Sequence, residues 1–146
     1  MPEIKPLSPE IKKRVLQMQQ NELTEYHIYT KVAGFVKNPE NKATLLKIAN
    51  EEHRHYQIWE TFTKEKVQPI QWKVWWYTFL SVIFGYTFAL KLMEGNEGDA
   101  AYNYEDIAAE IPQAQKIART KSGTSRSCWR SWMKNACSMW ARWYWG

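Results

Sequence analysis

A chain of 146 residues with 45% hydrophobic content can bury a core of its own, so neither disulfides nor a structural metal is required merely to hold it folded. The formal net charge of +5 is not spread evenly: up to Glu110 there are 13 Lys or Arg against 15 Asp or Glu, and after Glu110 seven basic residues and no acid. The surplus therefore belongs to the tail, and with no recognition fold beside it, it makes no case for nucleic-acid binding.

The N-terminus lacks the apolar stretch of a secretory signal, and the body carries no cysteine, since Cys128 and Cys137 both lie in the tail. A reducing cytoplasmic location fits these facts. Neither a rubredoxin-type nor a zinc-finger site can be assembled in the body.

Ser8-Pro9-Glu10 is a helix start, with Ser8 placed to cap and Pro9 at the first helical position, where its missing N–H costs nothing. From there Ile11, Val15, Met18, Glu22, Glu25, Tyr29, Val32 and Val36 follow steps of four and three, the seam of a packed helix. Two glutamates interrupt that seam. Asn38-Pro39-Glu40 punctuates the chain, and a second helix carries Leu45, Ile48, Glu52, His55, Trp59 and Phe62 on one face, up to a stop at Pro69. A third long pattern, read as one helix, aligns Ile83, Leu90, Glu94, Glu97, Ala101, Tyr104 and Ala108, and Pro112 opens a fourth segment. No strand-like alternation occurs. The expected architecture is all-α, an antiparallel up-down helical bundle with a longer crossing between the second and third helices.

Within the third pattern, residues 74–90 form a run without a charge, at the lower limit for crossing a bilayer. Its aromatic richness suits a very apolar bundle helix, a membrane-facing surface or an oligomer-facing one.

Burying a carboxylate without a partner is expensive, so glutamates on an apolar seam call for a cation, a hydrogen-bond network or a proton. Glu52-His53-Arg54-His55 supplies a Glu-x-x-His pair, whose i, i+3 spacing puts a carboxylate and an imidazole on one helix face. By itself that tetrapeptide is common. It gains weight because di-iron carboxylate bundles draw a Glu from each of two helices and a Glu-x-x-His from each of two others. Carboxylate and imidazole donors together favour transition metals with open coordination positions, iron, manganese or zinc. Glu22 is followed seven residues on by Tyr29, and Glu97 by Tyr104, so each tyrosine returns to the face of its glutamate after two turns. His27 and His53 fall off the inward face.

These Glu-x6-Tyr pairs with the Glu-x-x-His between them resemble the rubrerythrin branch of the ferritin-like superfamily. The nearest likeness is to the soluble domain fused ahead of vacuolar-iron-transporter-type membrane proteins, sometimes called membrane-bound ferritin. The stretches NELTEYHIY, IANEEHRHYQIW and FALKLMEGNEGDAAYNYEDIA carry the resemblance. It covers residues 8 to 118 and implies a domain over 1–118 followed by an atypical tail over 119–146. By the same resemblance Glu22 and Glu97 are terminal carboxylates, Glu52 a bridging one, His55 a nitrogen ligand and Glu94 an extra ligand. Glu25 is then an alternative ligand or hydrogen-bond partner, and Tyr29 and Tyr104 orient the carboxylates. Two irons, a ferroxidase, sensing or delivery role beside a membrane iron transporter, and a homodimer are the further implications. A rubrerythrin-like peroxidase is the alternative, disfavoured by the missing rubredoxin-type cysteines; a metal-free dimerising helical module is another.

The tail departs from the family, which would place a second Glu-x-x-His there: no histidine follows His55. A shift of reading frame near Ala118 accounts for this. In the frame built from the last base of each codon and the first two of the next, permitted codons encode EDEERHEQELLEKLDEERLQYVG from Ala118 to Trp140. That string restores Glu-x-x-His at the positions of Thr120 and Gly123 and leads toward an apolar segment. The other reading of the tail is a basic, Trp-rich membrane-surface segment.

Overall fold

The computed structural model describes residues 7–97 and 104–117, with side chains described outside 94–106. Five helices follow in order: α1 (Pro9–Phe35), α2 (Pro39–Thr63), α3 (Gln71–Phe84), α4 (Tyr86–Glu97) and α5 (Tyr104–Glu110), with no strand among the described residues. The protein is all-α. It divides into two compact units, Met1–Tyr102 and Asn103–Gly146.

In the first unit α1 and α2 form an antiparallel hairpin. Pro39 occupies the first turn of α2 and Asn38 caps it, its side-chain oxygen accepting from the Asn41 amide at 3.0 Å. At α1 the cap differs from expectation: Ser8 holds the N-cap place, but its hydroxyl makes no capping bond, and the first turn closes through Lys12 N–H to the Ser8 carbonyl at 2.8 Å. The eight expected seam residues, Ile11, Val15, Met18, Glu22, Glu25, Tyr29 and Val32 on α1 and Val36 at its C-cap, are all buried. On α2 the buried set is Leu45, Ala49, Glu52, His55, Tyr56, Trp59 and Thr63, while Ile48 and Phe62 sit half-buried at its margins.

Helix α2 stops before Pro69, because Lys64 turns left-handed (φ 55°) and its N–H bonds the Glu60 carbonyl at 2.9 Å. Residues 64–70 then cross α1. Gln19, fully buried, accepts from the Thr63 hydroxyl at 2.7 Å and donates to the Glu65 carbonyl at 2.8 Å; Gln20 donates to the Gln68 carbonyl at 2.9 Å. The Ile70 N–H ends the crossing on Thr24 Oγ1 at 3.0 Å. Farther along both helices, Lys31 Nζ stands 4.4 Å from the Trp75 ring centroid, so α3 runs in the direction of α1.

The third pattern is not one helix. Gly85, at φ 86° and ψ 147°, separates α3 from α4 in a conformation that favours glycine. The break resets the helical phase: Leu90 is buried as expected, but Ile83 is 57% exposed. The inward face of α3 is instead Val74, Tyr77, Thr78, Leu80 and Ser81. Thr78 and Ser81 tolerate burial because each hydroxyl donates to the carbonyl four residues back, at 2.7 Å in both cases. No described helix is long and apolar enough to cross a membrane.

In the second unit Ile107, Ile111, Ala114 and Ile117 are buried. After the turn at Pro112 helix resumes over residues 113–117. The expected boundary at 118/119, the tail and its shifted-frame reading lie outside the described residues.

Candidate metal centre

The centre is built on the α1–α2 hairpin, whose helices, 27 and 25 residues, are the longest among the described residues. Because their seams mesh throughout, a side chain in mid-seam is held on both flanks by apolar neighbours: Met18 and Val32 on α1, Leu45 and Trp59 on α2. Between them the seams present Glu22, Glu52 and His55, with 2%, 8% and 5% of their surface exposed.

One ligand-type atom from each of these three residues lies within 4.8 Å of the others. His55 Nδ1 is 3.4 Å from Glu52 Oε2, one turn back on its own helix, and 3.6 Å from Glu22 Oε2 across the interface. Nδ1 is thus the nitrogen turned toward both carboxylates. Burial, the largest influence on His55, works against its charge. Hydrogen bonding to Glu22 and Glu52, together with their negative charge, overrides it and raises the pKa to about 9. Without a metal, His55 at neutral pH is an imidazolium between two buried carboxylates.

No family model, no curated protein and no solved structure matches this chain. Two carboxylates and an imidazole are the donor types that hold iron, manganese or zinc, and three residues leave coordination positions open. A metal would take the place of the His55 proton, so binding should release one.

The other expected ligands are only partly visible. Glu25 and Tyr29 are buried, one and two turns along α1 from Glu22. Glu94 and Glu97 belong to α4 and Tyr104 to α5, but their side chains lie outside the described residues, as does Ala101. Trp59 is fully buried one turn beyond His55, and its indole N–H has no hydrogen-bond partner among the described residues. His27 and His53 stand off the seam, half-buried. Tyr26 joins them, its ring centroid 5.2 Å from His27 and 4.7 Å from His53. Burial first, then Lys31 and His53, hold His27 below its usual pKa.

The sequence signal that found the cluster was polarity in mid-seam. Nothing comparable marked Gln19 or Thr24, which pin the crossing segment that carries the chain to α3.

Proposed function

We propose that this chain is an iron-binding helical domain of the ferritin-like, di-iron carboxylate kind, acting in iron oxidation, sensing or delivery. The single observation that carries the reading is the convergence of Glu22, Glu52 and His55, all buried, from two helices. Three buried ionisable groups in one apolar interface are costly unless they are useful, and a divalent cation in place of the His55 proton would balance two carboxylates. Glu94 and Glu97, the two glutamates of α4, supply a second metal position in this reading. Manganese or zinc would meet the same donors. Association with a membrane iron transporter and homodimerisation belong to the same proposal.

The test is metal content and iron oxidation of the full chain, beside a Thr120→Glu/Gly123→His variant that returns the second Glu-x-x-His. The expected result is stoichiometric Fe(II) binding that His55→Ala and Glu52→Gln each weaken. If neither chain retains iron, manganese or zinc after purification and reloading, the metal reading fails. Binding by the variant alone would locate the defect in the tail.

A further inference from the structure

Helix α3 has an outward side of unusual chemistry. From Trp72 to Phe84 every exposed side chain is apolar: Trp72, Trp75, Trp76, Phe79, Val82, Ile83 and Phe84. Trp72 and Trp75 each expose 66% of their surface. Phe84 and Phe88, with ring centroids 5.4 Å apart, carry the face across the break at Gly85. A monomeric soluble protein rarely leaves more than a few hundred Å² of contiguous apolar surface uncovered, and aromatic residues of this size exceed that together.

The charges bordering the face select among occupants. From Lys66 to Met93 the sequence contains three lysines, Lys66, Lys73 and Lys91, and no acid; acids resume at Glu94. Lys31 of α1 joins them from the side, over Trp75. The one acid in the crossing segment, Glu65, is paired with Lys12. A second copy docked face to face would bring these lysines toward one another, a like-charge contact. An anionic surface neutralises them. Tryptophan also favours the headgroup level of a bilayer, where its ring is buried and its N–H stays wet.

We propose that the outward face of α3 and the start of α4 docks in the plane of an anionic lipid surface. A 14-residue helix is about 21 Å long, too short to span a hydrocarbon core of about 30 Å, so α3 lies along the membrane rather than through it. The aromatic side chains enter the headgroup boundary and the lysines sit among the phosphates. The α1–α2 hairpin, with its carboxylate-histidine cluster, stays on the water side.

The experiment is co-sedimentation of the full chain with phosphatidylcholine vesicles, with and without phosphatidylglycerol, alongside Trp75→Ser/Phe79→Ser and Lys31→Glu/Lys73→Glu variants. Trp75, Phe79 and Lys31 are exposed and Lys73 half-buried, and far-ultraviolet circular dichroism and light scattering report fold and mass. The expected result is binding that requires phosphatidylglycerol, weakens with salt, and falls at least tenfold in the aromatic variant and several-fold in the charge variant, with helicity unchanged. Three results overturn it. One is equal binding to vesicles without phosphatidylglycerol. Another is wild-type binding by a folded aromatic variant, which would assign the membrane contact to the Trp-rich residues 119–146. The last is a dimer that the aromatic substitutions dissociate, in a chain that ignores vesicles, which would make the face a contact between copies.

Discussion

His55 Nδ1 meets Glu22 Oε2 at 3.6 Å across the α1–α2 interface, so the two long helices are joined in mid-seam by an ion pair rather than by hydrocarbon. The His55 pKa, raised from 6.5 to about 9, ties this pair to stability. Below about pH 6.5 His55 is protonated in the folded and the unfolded chain, and its whole contribution is present. As pH rises from there the unfolded chain loses its proton first, and the contribution drains away until it is gone above about 9. Urea titrations of metal-free protein should show stability falling by up to a few kcal/mol over that window, and His55→Gln should flatten the slope. An unchanged slope in His55→Gln would remove His55 as its source.

Metal binding should follow the opposite course. A metal needs the neutral imidazole, so below pH 9 each ion bound at His55 displaces about one proton. Apparent affinity should then rise by up to tenfold per pH unit between pH 6.5 and 9, before metal hydrolysis intervenes. Calorimetry in two buffers of different ionisation enthalpy counts the protons directly. Release of none would mean that the metal sits elsewhere.

Removing one member of the cluster should harm the metal-free protein more than removing its charges together. His55→Leu leaves Glu22 and Glu52 buried against each other without their cation, at a cost of about 3–5 kcal/mol. Glu22→Gln/Glu52→Gln/His55→Leu keeps the volume and takes away the charges, so its thermal midpoint should recover most of the loss. A triple variant less stable than the single one would show that the cluster is held by more than charge balance.

How much of this could be read in the sequence depends on what kind of force acts at each residue. The α1 seam was legible to its last member because helix burial repeats with the period of the backbone, and Glu22 and His55 were legible because they violate it. Ile83 was misassigned because a regular period was carried through Gly85, where the phase resets. Gln19 and Thr24 gave no warning: their burial depends on partners more than 40 residues away, Glu65 and Ile70, which no local pattern encodes.

That crossing gives its own prediction. Gln19 is fully buried and bonds both Thr63 Oγ1 and the Glu65 carbonyl, so Gln19→Leu leaves a buried hydroxyl and a carbonyl without that partner. The expected cost is about 1–3 kcal/mol, with faster proteolysis within residues 64–70. Gln20, half-buried and donating to the Gln68 carbonyl, should cost well under half as much when changed to Ala. Equal losses at the two positions would mean that burial of Gln19 is not what matters.

The two helix ends with positive φ among the described residues should respond in opposite directions. Lys64 ends α2 at φ 55°, where a side chain costs about 1–2 kcal/mol; glycine removes that strain but gains about 0.5–1 kcal/mol of unfolded-state freedom. Lys64→Gly should therefore stabilise by up to about 1.5 kcal/mol, a rise of a few degrees in the thermal midpoint. At Gly85 a Cβ would meet no atom within 4 Å, so Gly85→Ala suffers from backbone conformation alone, about 1–3 kcal/mol. The chain can relieve that strain by letting α3 run straight into α4. Doing so would turn Ala89, Leu90 and Met93 out of the phase in which they are buried, so relief by straightening exchanges one cost for another. A Gly85→Ala variant as stable as the parent would show that the break is imposed by packing rather than by the glycine.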